Sequence, residues 1–558
     1  EIIFNEFTAA HAGAPVWMSG AKRPVPGTRD RKLAVQVGGT AVPLDADLRA
    51  GLAAVKAENL WAAFRPRGAL TFTANVEVLD RAAPDPPRPG MDPPFDPTTD
   101  VKVTFGFSGP TVTPKFFPYE LSDFAGWLEY KNSRLDVAHL TARHGPSRVK
   151  LGAGEVRFYP DGAVWANLGG IEVKPCVVDA DLKRALPGKL GAALDELELK
   201  GGTELLVKHL VVSAPPDRPP AARAQADAAP APLAALAKPP AAPDPTIYWD
   251  AELKLFGASM DTGVPWEDAF GSVACRGRYE GTHLGAVRGN VWLDRALVSR
   301  LPVTVARCQL RADPQQPDPA RPGQFLPTTL QFLNVAGDLF HGALGGQGRV
   351  VLTDATRYEV LLTATDVQLD EVAKHYKLGS DADLKGIAQA QLLLFNRPDP
   401  KTGKLTVEGS GKIDVPTGRM YNLPILLDLV KVFKLQTPDK TAFEQAHVVF
   451  RVQGDRVKVD QLDLIGKAVC LGGSGELDTS GDYVKFEFYT VWSQVLKQMP
   501  DTLVGDLTAF FSKNLLTIKM VRENGELKYH PQPVPLVTEP TKAVLDRLKR
   551  GANRLTGK

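Results

Sequence analysis

Two pairs of carboxylates, Asp45/Asp47 and Asp179/Asp181, sit in closely similar hexapeptides, LDADLR at 44–49 and VDADLK at 178–183. Carboxylates two residues apart can share a metal ion or divide acid and base roles. A plainer chemistry also accounts for them. The first Asp accepts hydrogen bonds at a helix start, the second occupies the first turn, and the helix dipole favours both. The same letters at Asp381-Ala382-Asp383-Leu384 stand in another context and are read as coincidence. Among nine histidines the closest pair, His139 and His144, has no third ligand and no HExxH frame, so turn or surface positions are expected. The runs Gly409-Ser410-Gly411 and Gly473-Ser474-Gly475 lack the lysine and following helix of a phosphate loop, and no GxSxG elbow occurs. Cys176, Cys275, Cys308 and Cys470 form no CxxC pair, which signals neither a zinc clip nor a redox couple. The expectation is a protein that is not an enzyme, with no cofactor and no metal. An enzyme would have to gather His, Asp or Glu from distant segments.

The elements around these residues are punctuated ones. The 558 residues include 50 Gly and 46 Pro, which interrupt long helices and delimit short strands. A formal net charge of +2 supplies no field for nucleic acid. No apolar run approaches the roughly 18 residues of a membrane span; the best, NLPILLDLVKVFKL, is broken by Asp428 and Lys431. The sequence opens at Glu1 directly into the strand-like EIIFNEFTA, without a signal peptide, which is read as a piece of a longer chain.

Period-2 alternation recurs. Phe72, Ala74, Val76 and Val78 share one face, as do Val101, Val103, Phe105 and Phe107. So do Tyr358, Val360, Leu362 and Ala364; Val448, Phe450 and Val452; and Val484, Phe486 and Phe488. Lys102, Thr104, Arg451, Lys485 and Glu487 fall on the opposite faces. One apolar and one wet face predict antiparallel sheet. Helices are expected over Leu182–Leu197 (against Pro187), Asp370–Tyr376 and Leu423–Phe433, with helical spacing again from Trp492 to Phe511, split at Pro500. Three Pro-rich stretches divide the chain, at 83–99, 214–246 and 313–323. The first and third read as long hairpin insertions. The domain reading is a β-rich region over 1–213, an Ala/Pro-rich linker over 214–246, a repeat β-region over 247–530 and a basic tail over 531–558. In the tail Lys542, Arg547, Lys549, Arg550, Arg554 and Lys558 face a single acid, Asp546, beside an apolar edge of Val544, Leu545 and Leu548. That composition suits contact with an anionic membrane or acidic partner, or a solvated end. The 492–511 segment is read as a plug for the end of the sheet.

The most informative feature is repetition. The pattern apolar-x-Gly-x-Gly-x-apolar occurs as Leu344-Gly346-Gly348-Val350, Val407-Gly409-Gly411-Ile413 and Leu471-Gly473-Gly475-Leu477, at steps of 407 − 344 = 63 and 471 − 407 = 64 residues. Val287-Gly289-Val291 is a decayed fourth copy. NSRLDVAHLTARHG (132–145) matches GDRVKVDQLDLIGK (454–467), and the two hexapeptides above repeat at 179 − 45 = 134. Paired glycines strip one strand face of side chains, which allows a bend, a bulge or the close approach of another chain.

From about Leu361 to Asp478 the residues resemble the C-terminal region of AsmA-like envelope proteins, relatives of TamB. The segments ATDVQLDEVAKHY, KLTVEGSGKIDVPTGRMYNLPILLDLVKVF, HVVFRVQGDRVKVDQLDLIG and AVCLGGSGELD carry the resemblance, and NGELKYHPQPVPL is similar to the closing strand of such proteins. The resemblance implies a mostly β fold, an elongated, curved antiparallel sheet built from repeats, with few short helices and an apolar groove. It implies a periplasmic location, an N-terminal inner-membrane anchor and a role in outer-membrane biogenesis. Its partners would be phospholipid or another acyl-chain lipid, the bacterial envelope membranes and envelope proteins. Val448, Phe450, Val452, Val484, Phe486 and Phe488 are then candidate groove residues. Gly346, Gly348, Gly409, Gly411, Gly473 and Gly475 mark the repeat. The alternative is a scaffold or glycan-binding β-sandwich, with a second sheet over the apolar face and Trp127, Trp165 or Trp249 exposed.

Overall fold

The computed structural model describes all residues except 55–57, 81–99, 116, 132, 187–190, 192–193, 196, 216–244, 262–263, 282, 354–355, 377–383, 400–401, 421–442, 479–481, 498–514, 524–525, 534–538 and 556–558. The helix expected at 423–433, the insertion at 83–99, most of the 214–246 linker and most of the 492–511 segment lie outside the described residues.

The chain divides into two compact units, Glu1–Asn290 with Ala312–Leu326, and Val291–Arg311 with Pro327–Lys558. The first holds β1 (Ile2–His11), β2 (Ala14–Pro24), β3 (Arg31–Pro43), β4 (Ala69–Asp80), β5 (Asp100–Ser108) and β6 (Ser122–Lys131). It continues with β7 (Arg134–His144), β8 (Ser147–Phe158), β9 (Val164–Lys174), β10 (Lys200–Ala214), β11 (Thr246–Asp261) and β12 (Pro265–Glu280). Each of these strands pairs antiparallel with the next. Next in chain order are β13 (His283–Val298) and β14 (Leu301–Ala312). The second unit runs through β15 (Thr328–Leu339), β16 (Gly342–Leu352), β17 (Arg357–Gln368), β18 (Leu384–Pro398), β19 (Leu405–Met420) and β20 (Gln445–Gln453). It ends with β21 (Arg456–Ile465), β22 (Val469–Asp478), β23 (Val484–Trp492), β24 (Leu515–Glu523) and β25 (Glu526–Pro533). From β15 to β25 consecutive strands again pair antiparallel. Within each unit the sheet is therefore an antiparallel meander, open and curled, and the expected mostly β class with few short helices is what is found.

Tight turns make the meander. The β1–β2 turn places Ala12 at φ 47° and Gly13 at φ 85°; the β15–β16 turn places Phe340 at 48° and His341 at 60°. Two successive positive φ values give the turn twist that matches right-handed strands. Strands flanking the Pro-rich segments also meet each other. Leu79 pairs with Asp100, so the 83–99 segment connects a hairpin. Ser213 pairs with Thr246, so β10 and β11 are neighbours in one unit on either side of the 214–246 segment. Bulges bend individual strands. In β21 the register shifts between Val459 and Leu462, and both side chains reach the same core despite standing three apart.

Helices bounded among the described residues are α1 (Ala46–Ala54), α2 (Glu58–Phe64), α3 (Ala180–Ala185), α4 (Leu369–His375), α5 (Ser493–Lys497) and α6 (Glu539–Leu555). The helix read over 182–197 is interrupted: α3 ends at Ala185, Leu186 is extended (φ −75°, ψ 138°) before Pro187, where proline disfavours helix, and Gly191, Leu194 and Asp195 are helical again. The basic C-terminal segment is a docked helix. Leu545 and Leu548 of α6 are 0% exposed and pack with Ile465, Cys470, Val491 and Leu496. Arg547 Nε and Nη2 donate to the two oxygens of buried Asp463 at 3.2 and 3.3 Å. The apolar edge that sequence offers to a membrane is thus occupied by the sheet. A Leu548→Ala substitution is expected to lower stability by about 2–5 kcal/mol, the range for emptying a buried leucine site, as read by urea denaturation.

Candidate functional site

Residues directly opposite each other in an antiparallel ladder share a face. Across the second unit this gives three apolar rows. One runs Gly348, Val360, Leu394, Gly409, Val452, Val457, Leu477, Val484. The next runs Gly346, Leu362, Leu392, Gly411, Phe450, Val459, Gly475, Phe486, Met520. The third runs Leu344, Ala364, Ala390, Ile413, Val448, Leu462, Gly473, Phe488, Ile518. All six candidate groove residues and all six repeat glycines therefore stand on one face. The rows from β16 to β23 cover about 34 Å along the sheet at the usual strand spacing.

The glycines have a defined job there. A Cβ built on Gly411 would lie 2.4 Å from Phe450 Cζ, one on Gly409 2.7 Å from Leu394 Cδ2, and one on Gly346 2.9 Å from Leu362 Cδ2. On Gly473 and Gly475 it would lie 2.6 and 2.5 Å from the rings of Phe488 and Phe486. Gly411, Gly473 and Gly475 are floors on which a phenylalanine of the adjacent strand lies, whereas at Gly346 and Gly409 the backbone carbonyls of Leu361 and Leu393 come nearer still than the leucine side chains. The Phe486 and Phe488 rings stack at 5.5 Å with 9° between their planes. Burial grades along the face. Phe486, Phe488, Ile518 and Met520 are sealed, whereas Val360, Leu362, Leu392, Leu394, Val448, Phe450, Val452 and Val457 are only partly buried. The opposite face is mixed, with Leu361, Leu393 and Phe395 beside ion pairs such as Arg451–Asp460 at 2.7 Å and Arg349–Glu359 at 2.6 Å.

The carboxylate pairs are helix caps, as their spacing predicts. Asp179 Oδ1 accepts from the Leu182 N–H at 2.7 Å at the start of α3. Asp45 Oδ1 accepts from the N–H groups of Asp47 and Leu48 at 3.1 and 3.0 Å at the start of α1. The Leu48 amide above all, with His11 adding to it, holds the Asp45 carboxyl below its ordinary range. What spacing did not reveal is that each pair recruits a histidine from a strand end. His11 Nε2 lies 2.7 Å from Asp45, and His144 Nε2 lies 3.0 Å from Asp179 and 3.6 Å from Asp181. His144, the last residue of β7 beside the turn to β8, also donates through Nδ1 to the Glu120 carbonyl at 2.6 Å and stacks on Tyr119. His11, Asp45 and Asp47 bring one ligand atom each within 4.8 Å of one another, the one grouping of this kind among the described residues. Asp45 is already committed there to the helix start.

All four cysteines are free thiols. Burial pushes Cys176 and Cys308 up to about 11. Because the thiolate is the nucleophile, iodoacetamide at neutral pH should alkylate both slowly in the folded protein, the rate climbing with pH until about 11. Mass mapping of alkylated peptides checks this. At an unhindered strand position Gly→Ala stabilises by about 0.4–1 kcal/mol. Gly411→Ala should instead destabilise by about 1–3 kcal/mol through overpacking, with partial recovery in Gly411→Ala/Phe450→Leu, read by urea denaturation. No model of a known protein family matches the chain, and no curated protein matches it.

Proposed function

We propose that the protein is a non-enzymatic lipid-handling protein of the bacterial envelope, in which the apolar face of the second unit receives acyl chains of a phospholipid or similar lipid. One observation carries the reading: the apolar rows continue across eight successive strands and stay only partly buried from Val360 to Val457. A contiguous apolar surface of that extent that water can still reach in part is costly unless something apolar occupies it. An extended hydrocarbon chain suits it, since the face offers dispersion contacts and no hydrogen-bonding side chain along the three rows. The glycine floors keep the rings low, so the surface is smooth enough for a chain to lie on or slide along. The resemblance to AsmA-like proteins supports a position between the two membranes, with an inner-membrane anchor and a part in outer-membrane biogenesis alongside other envelope proteins. Among the described residues no helix is long and apolar enough to cross a membrane.

Organic extraction of the purified protein followed by lipid mass spectrometry is expected to recover acyl lipid at a defined stoichiometry. A Val452→Glu variant, which plants a charge in the partly buried stretch of the rows, should retain several-fold less. Absence of lipid from the wild-type chain purified without detergent overturns the reading.

A further inference from the structure

The first unit has a second chemical surface on its other face. There the ladder sets Trp17, Gly38, Thr73, Gly106 and Trp127 in one row across β2 to β6. The two tryptophans lie down inward. A Cβ on Gly38 would meet Trp17 Cε2 at 2.4 Å, and one on Gly106 would meet Trp127 Cη2 at 2.9 Å. One indole therefore roofs β3 and the other β5, about 10 Å apart at the usual strand spacing, with only the short Thr73 between them. Trp127 is 55% exposed despite its size.

The adjacent row, two residues along each strand, is Ser19, Gln36, Asn75 and Thr104. Gln36 and Asn75 are exposed, and none of the four side chains hydrogen-bonds to another described residue. With Glu77 and Lys102 they line an open depression of about 460 Å³. Its charges are internally compensated: Glu77 pairs with Lys32 at 3.0 Å and Lys102 with Glu129 at 2.9 Å. Among the other tryptophans named from sequence, Trp165 lies beneath the Arg157 guanidinium at 5.2 Å, and Trp249 is on the core-facing side, over Gly277. Neither belongs to this surface.

We propose that this patch binds a neutral oligosaccharide. The apolar C–H faces of two sugar rings would lie on the Trp17 and Trp127 indoles, whose spacing is that of nearby units in one glycan chain. The unengaged amides of Gln36 and Asn75 and the hydroxyls of Ser19 and Thr104 would hydrogen-bond sugar hydroxyls, each able to donate and accept. Flat, rigid indoles give contact area at small entropic cost, and orientation comes from a few polar groups beside them. The compensated charge disfavours a phosphate or nucleic-acid ligand, which needs unpaired cations. The site is in a different unit and on the opposite sort of face from the apolar rows, so it stands or falls apart from lipid binding.

Titration of the full chain with maltohexaose, cellohexaose and chitohexaose, by calorimetry and tryptophan fluorescence, tests the assignment. At least one should bind with a change in indole emission. Trp127→Ala should weaken it tenfold or more, and Gln36→Ala/Asn75→Ala at least fivefold with an unchanged melting temperature, because those two amides support nothing in the fold. No binding of any hexasaccharide at millimolar concentration overturns the proposal, as does binding that the Gln36/Asn75 double variant leaves intact.

Discussion

Where Phe450 crosses Gly411, the ring fills the volume that a Cβ would claim. The same exchange recurs with phenylalanine at Gly473 and Gly475, while at Gly346 and Gly409 a leucine side chain and the neighbouring backbone carbonyl share that volume. Much of the second unit depends on it. A bulky side chain standing upright on a sheet needs a second layer to cover it. Laid flat on the neighbouring glycine, it buries its area against backbone instead, so a single sheet can stabilise its own apolar face. The cost is the unfolded-state entropy of glycine, about 0.5–1 kcal/mol each relative to alanine, set against roughly 1.5–3 kcal/mol for burying a large apolar side chain fully. The first unit uses the device on both faces, with Leu168 over Gly154 on the core side and Trp127 over Gly106 on the other.

Much of this was legible in the sequence because it depends on period alone. Alternation at Phe72–Val78, Tyr358–Ala364 and Val448–Val452 names the apolar face without any tertiary information, and the ladders place those residues as read. Asp179 and Asp45 were legible as caps because capping is local. The hidden part depends on pairing. That Gly411 serves Phe450, 39 residues later, follows from the β19–β20 register and from nothing nearer in sequence. His144 meets Asp179 only because β7 ends beside the start of α3. The apolar edge of α6 was visible, but whether it faces lipid or protein is decided by Ile465, Cys470 and Val491, residues from other strands. The Ser19–Thr104 row is invisible in any one segment, since each strand contributes a single member.

The two faces of these sheets separate their chemistries. Core-side rows contain hydrocarbon and glycine; the reverse carries compensated ion pairs and amides among scattered apolar side chains such as Trp127 and Leu393, and α6 covers it at β21 to β23. Such separation follows from the strand period of two, which lets each face vary without disturbing the other. A sheet of this kind can present different surfaces to different molecules while using one set of backbone hydrogen bonds.

The spacing of 63 and 64 residues corresponds to three strands, since the glycine pairs fall on β16, β19 and β22, and the decayed copy falls on β13. Three is odd, so successive glycine strands run in opposite directions. Gly346 shares a row with Gly411, and Gly348 with Gly409, first with second and second with first. The motif apolar-x-Gly-x-Gly-x-apolar reads alike from either end, and that reversal symmetry lets one short word serve strands of both polarities. Duplicating such a unit would lengthen the sheet by about 14 Å and send every later connection to the opposite margin, while the apolar face grew unbroken. A gene lineage could thus change the reach of the surface by whole triplets without redesigning it.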